Sequence, residues 1–166
     1  MKLKITLDTN TFPLERAMAA ATRIRADVAV TTVTAREVHG TKFEPELSTL
    51  KLLPETWVLG ESPLGTAVLG SEADTACYEQ ALRIVSNGAF PRPGARDALS
   101  DGQRRQLRDA IIFCAHVREK RDILVSDDIA AFGGEGSPQR QQIEALGKTR
   151  VMTLPEFEHF CDQPRA

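Results

Sequence analysis

Two stretches put carboxylates where they could do chemistry. Ile123-Leu124-Val125-Ser126-Asp127-Asp128 is a short apolar run ending in adjacent acids, and Leu3-Lys4-Ile5-Thr6-Leu7-Asp8 repeats the device near the start of the chain. A strand that delivers an acid at its C-terminal end, twice, points to one site at the edge of a parallel sheet, where open α/β folds bind ligands. Glu37 and Asp109 join these as candidates. Glu37 ends Thr34-Ala35-Arg36-Glu37, a capping-box pattern. Asp109 stands where a helical stretch changes from Gln103-Arg104-Arg105-Gln106 to the apolar run Ala110-Ile111-Ile112-Phe113-Cys114-Ala115.

Each acid also has a plain structural reading. Asp8 fits an Asx-turn or a helix cap. Glu37 could satisfy a backbone N–H at the start of its helix. Asp109 could pair with Arg105 one turn earlier. Asp127 and Asp128 fit a solvated turn. The functional reading rests on their joint arrangement: every acid falls at an element boundary that a sheet-edge site could collect. Neighbouring carboxylates repel unless they sit in water or share a cation. Clustered hard oxygens without nitrogen or sulfur suit Mg²⁺ or Mn²⁺, the usual setting for phosphate chemistry.

The elements that must position these residues alternate. Strands are expected over residues 3–7, 28–33, 123–126 and 150–153. Helices are expected over 14–24, from Thr34 to Gly40, 46–53, 71–86, 103–118 and 138–146, with a last one opened by the capping box Thr153-Leu154-Pro155-Glu156. Residues 57–70 carry Gly60, Pro63, Gly65 and Gly70 and fit no period. Residues 90–102 read as a mobile loop within a single domain spanning 1–166. Strands alternating with helices argue for an α/β fold with a mainly parallel sheet and helices on both faces.

Composition excludes little. A net charge of −2, with 42% hydrophobic and 27% charged residues, describes an ordinary globular chain. No run spans a bilayer and no signal peptide is visible, so a cytoplasmic location without membrane contact is the expectation. The acidic balance is locally reversed: residues 91–121 hold eight Arg and Lys against four acids. Cys77, Cys114 and Cys161, and His39, His116 and His159, are scattered with no zinc spacing or disulfide framework. Cys114, in its apolar run, reads as a small core residue.

With these pieces in hand the chain resembles the PIN-domain nucleases, the family that includes VapC-like ribonuclease toxins. The resemblance lies in Ile5-Thr6-Leu7-Asp8-Thr9-Asn10, Thr32-Val33-Thr34-Ala35-Arg36-Glu37-Val38-His39-Gly40, Leu107-Arg108-Asp109-Ala110-Ile111-Ile112-Phe113-Cys114-Ala115 and Ile123-Leu124-Val125-Ser126-Asp127-Asp128. It extends to the ending Arg150-Val151-Met152-Thr153-Leu154-Pro155-Glu156-Phe157. It implies a three-layer α/β/α sandwich and an Mg²⁺- or Mn²⁺-dependent endoribonuclease. In it Asp8, Glu37, Asp109 and Asp128 hold one or two cations, with Asp127 auxiliary. It also implies supporting roles for Asn10 and Ser126, an RNA substrate, an antitoxin partner and a homodimer. The basic stretch offers Arg104, Arg105 and Arg108 as contacts to the nucleic-acid backbone. Two rivals stand beside it. Asp8-Thr9-Asn10-Thr11 looks somewhat like the nucleophile loop of haloacid-dehalogenase-type phosphatases, with Asp8 forming an aspartyl-phosphate. A non-catalytic PIN-like domain that binds RNA or protein would keep the same residues.

Overall fold

The computed structural model describes residues 2–58, 62, 65 and 67–163. The apolar runs near the N-terminus and around residue 124 form neighbouring strands. β1 (Lys4–Leu7) pairs in parallel with β2 (Asp27–Thr31) on one side. β3 (Lys51–Leu53) extends that side, and β4 (Glu55–Thr56) and β5 (Ala67–Val68) form a separate parallel pair. On its other side β1 pairs with β6 (Ile123–Val125), followed by β7 (Arg150–Met152). The central sheet therefore has five parallel strands in the order β3-β2-β1-β6-β7. Chain direction across the sheet reverses between β1 and β6, which makes their C-terminal ends the topological switch point.

Strand side chains alternate between two apolar layers, as a pleated strand requires. Ile5, Leu7, Val30, Ile123, Val125 and Met152 pack with Ala17, Ala20 and Ala21 of α1 (Glu15–Arg23) and with Phe157 of α7 (Leu154–Asp162). Leu124 and Val151 point the other way. They pack with α3 (Glu72–Val85), α4 (Asp101–Arg118), α5 (Ile129–Phe132) and α6 (Pro138–Gly147). Helices thus cover both faces, an arrangement compatible with a three-layer sandwich. No helix among the described residues is long and apolar enough to cross a membrane.

Two sequence expectations change. Residues 51–53 are a strand, because backbone pairing of Lys51–Leu53 with β2 overrides the helical spacing of Leu47, Leu50 and Leu53; only Glu44–Thr49 is helical, as a 3₁₀ segment. α2 (Thr32–Val38) begins before Thr34, because the Thr31 hydroxyl accepts the Thr34 N–H at 3.1 Å; Glu37 therefore caps nothing. Gly40, at φ 73°, lies just beyond its end. The segment before α4 lacks regular structure; within it Arg96 pairs with Glu79 at 2.8 Å, donates to the Pro91 carbonyl at 2.9 Å and lies over the Phe90 ring. Of the glycine- and proline-rich stretch 57–70, Gly60 and Pro63 lie outside the described residues.

α4 is the element that matters most for the site. Its residues from Ala110 to His116 are all buried, as expected of a helix covered on every side. His116 ties it to the sheet through two hydroxyls, Thr6 Oγ1 at 2.8 Å and Thr149 Oγ1 at 2.7 Å. Thr149 Oγ1 also donates to the Asp122 carbonyl at 2.9 Å. One arrangement then satisfies every atom: Nε2–H donates to Thr149, and Nδ1 accepts from Thr6. Burial pushes the imidazole down to about 3, so it stays neutral. Asp109 lies two turns before His116 on the same helical face, about 10 Å along the axis. That offset carries it from the body of β1, at Thr6, to the strand's C-terminal end.

Replacing His116 with Ala leaves a void and two under-satisfied hydroxyls. We expect a loss of about 3 kcal/mol in urea unfolding with an unchanged m-value.

Candidate active site

Asp8 and Ser126 are the first residues past β1 and β6, and the parallel pairing sets them side by side. The Ser126 hydroxyl donates to Asp8 Oδ2 at 2.6 Å and accepts the Asp128 N–H at 3.2 Å. Asn10 joins the two loops. Its Nδ2 donates to Asp8 Oδ2 at 3.2 Å and to Ser126 Oγ at 3.1 Å, while its Oδ1 accepts the Asp127 N–H at 2.8 Å. Asp8 Oδ1 accepts the Thr9 N–H at 2.6 Å. The supporting roles expected of Asn10 and Ser126 thus have a geometric counterpart.

Asp8, Glu37, Asp109 and Asp128 all line one open cleft of about 640 Å³, together with Thr9, Asn10, Arg105 and Arg108. α2 supplies Glu37, whose Oε2 accepts the Thr9 hydroxyl. Its Oε1 lies 3.3 Å from Arg108 Nε, an ion pair without hydrogen-bond geometry, since that Nε has no hydrogen-bond partner among the described residues. Asp128 caps α5 by accepting the Ala131 N–H at 2.9 Å. Thr9 is the cleft residue that sequence reasoning passed over. Its signal was its place immediately after Asp8.

Asp127 goes elsewhere. Its carboxylate accepts the Leu154 N–H at 2.7 Å at the start of α7, outside the cleft. The basic stretch also disperses. Arg96 is bound to Glu79, Arg118 to Thr56 and the Pro54 carbonyl, and Arg121 to Asp27. Arg105 and Arg108 border the acids; Arg104 is exposed on α4 and does not line the cleft.

Asp109 differs from its neighbours. Asp8 and Asp128 have structural employment as caps, and Glu37 has Thr9 and Arg108. Asp109 accepts no hydrogen bond among the described residues, and Arg105 is not its partner. Burial, then the charges of Asp8, Asp128 and Glu37, push its carboxyl up to about 8, against a smaller opposing pull from Arg108. Asp8 is pushed up to about 6, burial outweighing the hydrogen bonds from Ser126 and Thr9. A cleft of similar size, about 570 Å³, lies against α6, β7 and α7, but there Glu156 pairs with Arg140 and Glu144 accepts the Val151 N–H.

The donor chemistry fits a hard divalent cation: four carboxylates, two of them costly to ionise without a positive charge nearby. Among the described residues, however, no three Asp, Glu, His or Cys side chains are already gathered around one point. Mg²⁺ does not need such a cage, because it commonly binds through one or two carboxylates and keeps several waters. Asp8 and Asp109 are the pair whose ionisation such a cation would favour most.

The raised carboxyls set a pH signature with a definite sign. The folded chain retains a proton on Asp109 between its ordinary value of 3.8 and about 8 while the unfolded chain has lost it. Stability therefore falls as pH rises through that window. With divalent cations chelated, Asp109→Asn is expected to exceed the parent at pH 8 by on the order of 2 kcal/mol and to lose that advantage by pH 4. Urea unfolding at the two pH values checks this.

No family model, no curated protein and no solved structure matches the chain.

Proposed function

We propose that this chain is a divalent-metal-dependent nuclease of PIN-like architecture, acting on RNA. The observation that carries the reading is Asp109: a partly buried carboxylate that accepts no hydrogen bond among the described residues and lines one open cleft with three other carboxylates. Such a group destabilises the fold and returns nothing to it, the usual mark of a functional site. The RNA preference, an antitoxin and a homodimer rest on the family resemblance alone, and a cytoplasmic location rests on the sequence expectation.

Asp8 and Asp109 would hold the cation, with Glu37 and Asp128 completing the acidic wall. When bound, Mg²⁺ or Mn²⁺ supplies Lewis acidity and a water of lowered pKa. The chain's own residues do the rest. Ser126 and Asn10 fix the Asp8 carboxylate in orientation, and Thr9 fixes Glu37. Glu37, at the cleft wall, is placed to accept a proton from an attacking water. Arg105 and Arg108, at the margin, offer cations to the phosphodiester backbone. Because these charges stand beside the acids, they draw a polyanion towards a pocket that would otherwise repel it.

The phosphatase rival fares less well on this geometry. Asn10, which would stand where that loop places its second acid, is engaged in linking β1 to β6. The non-catalytic reading shares this geometry and is separated only by turnover.

Purified protein incubated with a mixed RNA pool in Mn²⁺ should cut it. Cutting should stop with EDTA and fall by about 100-fold or more in Asp8→Asn and Asp109→Asn, and by roughly 10–100-fold in Ser126→Ala. Mn²⁺ should also raise the Tm of the parent at pH 8, but not that of Asp109→Asn. Stabilisation by Mn²⁺ without cutting would favour the non-catalytic domain. Absence of any Mn²⁺ effect on Tm would remove the metal site itself.

A further inference from the structure

We propose that Cys77 and Cys114 are an oxidation site, closing under peroxide to a reversible disulfide that staples α3 to α4. The proposal is independent of the nuclease reading. The two cysteines lie 37 positions apart in sequence, yet packing of α3 on α4 brings their sulfurs to 3.4 Å, both as free thiols. A disulfide bond of about 2.05 Å requires a further closure of only about 1.3 Å, shared between two side chains. Cys161 cannot compete, because it packs in the apolar layer on the opposite face of the sheet.

The two thiols are not equivalent. Cys77 is half-buried, whereas Cys114 is buried and forms part of the wall of a small cleft of about 180 Å³ with Thr56, Asp74 and Ile111. The charged groups facing the pair are Asp74, three residues before Cys77 on α3, and Arg118, four residues after Cys114 on α4. The S–H that Cys114 donates to Cys77 holds the Cys77 thiol below its ordinary value, while that same contact and then burial push Cys114 up. Cys77, the thiol that solvent reaches, is the attacking group, and the buried Cys114 is the resolving thiol.

The chemistry balances with hydrogen peroxide as oxidant. The Cys77 sulfur attacks one peroxide oxygen and the O–O bond breaks. Hydroxide leaves and takes a proton to become water, giving a sulfenic acid on Cys77. The Cys114 sulfur, losing its proton, then attacks the Cys77 sulfur. The S–O bond breaks and the departing hydroxide takes that proton as a second water. Two thiols lose two electrons to one peroxide, and a dithiol reductant reverses the step by thiolate attack. The closed ring encloses the irregular segment between α3 and α4 and is anchored on the helix that carries Asp109.

The test uses the full reduced chain and hydrogen peroxide. Expected are an intact mass lower by two hydrogens and a Cys77–Cys114 cross-linked peptide in a non-reducing digest. A Tm raised by roughly 5–15 °C is also expected. All three should revert with dithiothreitol. Cys161→Ser should leave the cross-link unchanged. Cys114→Ser should abolish it and leave a dimedone-reactive sulfenic acid on Cys77. A cross-link through Cys161, a disulfide between two chains, or over-oxidation of Cys77 without a cross-link would overturn the proposal. So would a chain inert to peroxide. Should Cys114→Ser fail to fold, the peptide map of the parent chain decides alone.

Discussion

The placement of α4 depends on one buried imidazole. His116 spans from the Thr6 hydroxyl on β1 to the Thr149 hydroxyl just before β7, and so fixes the helix along its axis as well as against the sheet. Apolar packing alone would hold α4 in its layer but would tolerate sliding, since one Ile or Ala resembles another. Two directional hydrogen bonds remove that freedom. A helix fixed at His116 has its position two turns earlier fixed as well, and that position is Asp109. The acid facing the cleft is therefore aimed by a residue that takes no part in the cleft.

The opposite wall is set by hydrogen bonds between two loops. Asn10 and Ser126 lock the ends of β1 and β6 to each other, and Asp8 is held by both. This network makes burial of Asp8 tolerable. Nothing comparable serves Asp109. The two acids thus differ in kind: one is built into the frame, and the other is strained against it. A site that concentrates negative charge must accept this inequality, because donors that satisfied every carboxylate would also neutralise the field that draws a cation.

Much of this was legible in the sequence, for identifiable reasons. Apolar runs ending in Asp8 and Asp128 are local patterns, and so is the polar-to-apolar change at Asp109. The Thr153–Glu156 capping box is a contact between residues three apart and appears as expected. What sequence reasoning misplaced depends on distant partners. β3 is a strand because β2 lies beside it. Glu37 is released from capping because Thr31, not Thr34, starts the helix. Asp127, read as an auxiliary to Asp128, has its carboxylate taken by the start of α7. Cys77 and Cys114 looked unrelated because nothing in their spacing shows that α3 and α4 pack together.

The strand order has a consequence for how the molecule is made. β1 sits in the middle of the sheet, but its two neighbours come from very different parts of the chain: β2 follows directly and β6 begins at Ile123. On a ribosome, β1 and β2 can pair early, while the other edge of β1 waits for about 90 further residues. At about 5–20 residues per second that is roughly 5–20 s with the backbone of a central strand unpaired. For most of that interval Asp8 has neither Asp109 nor Ser126 beside it, since Asp109 is made near its end and Ser126 just after it. The part of the cleft made first, Asp8, Asn10 and Glu37, thus stays incomplete until Asp109 and then Asp128 are made, so synthesis itself sets the order in which the cleft is assembled.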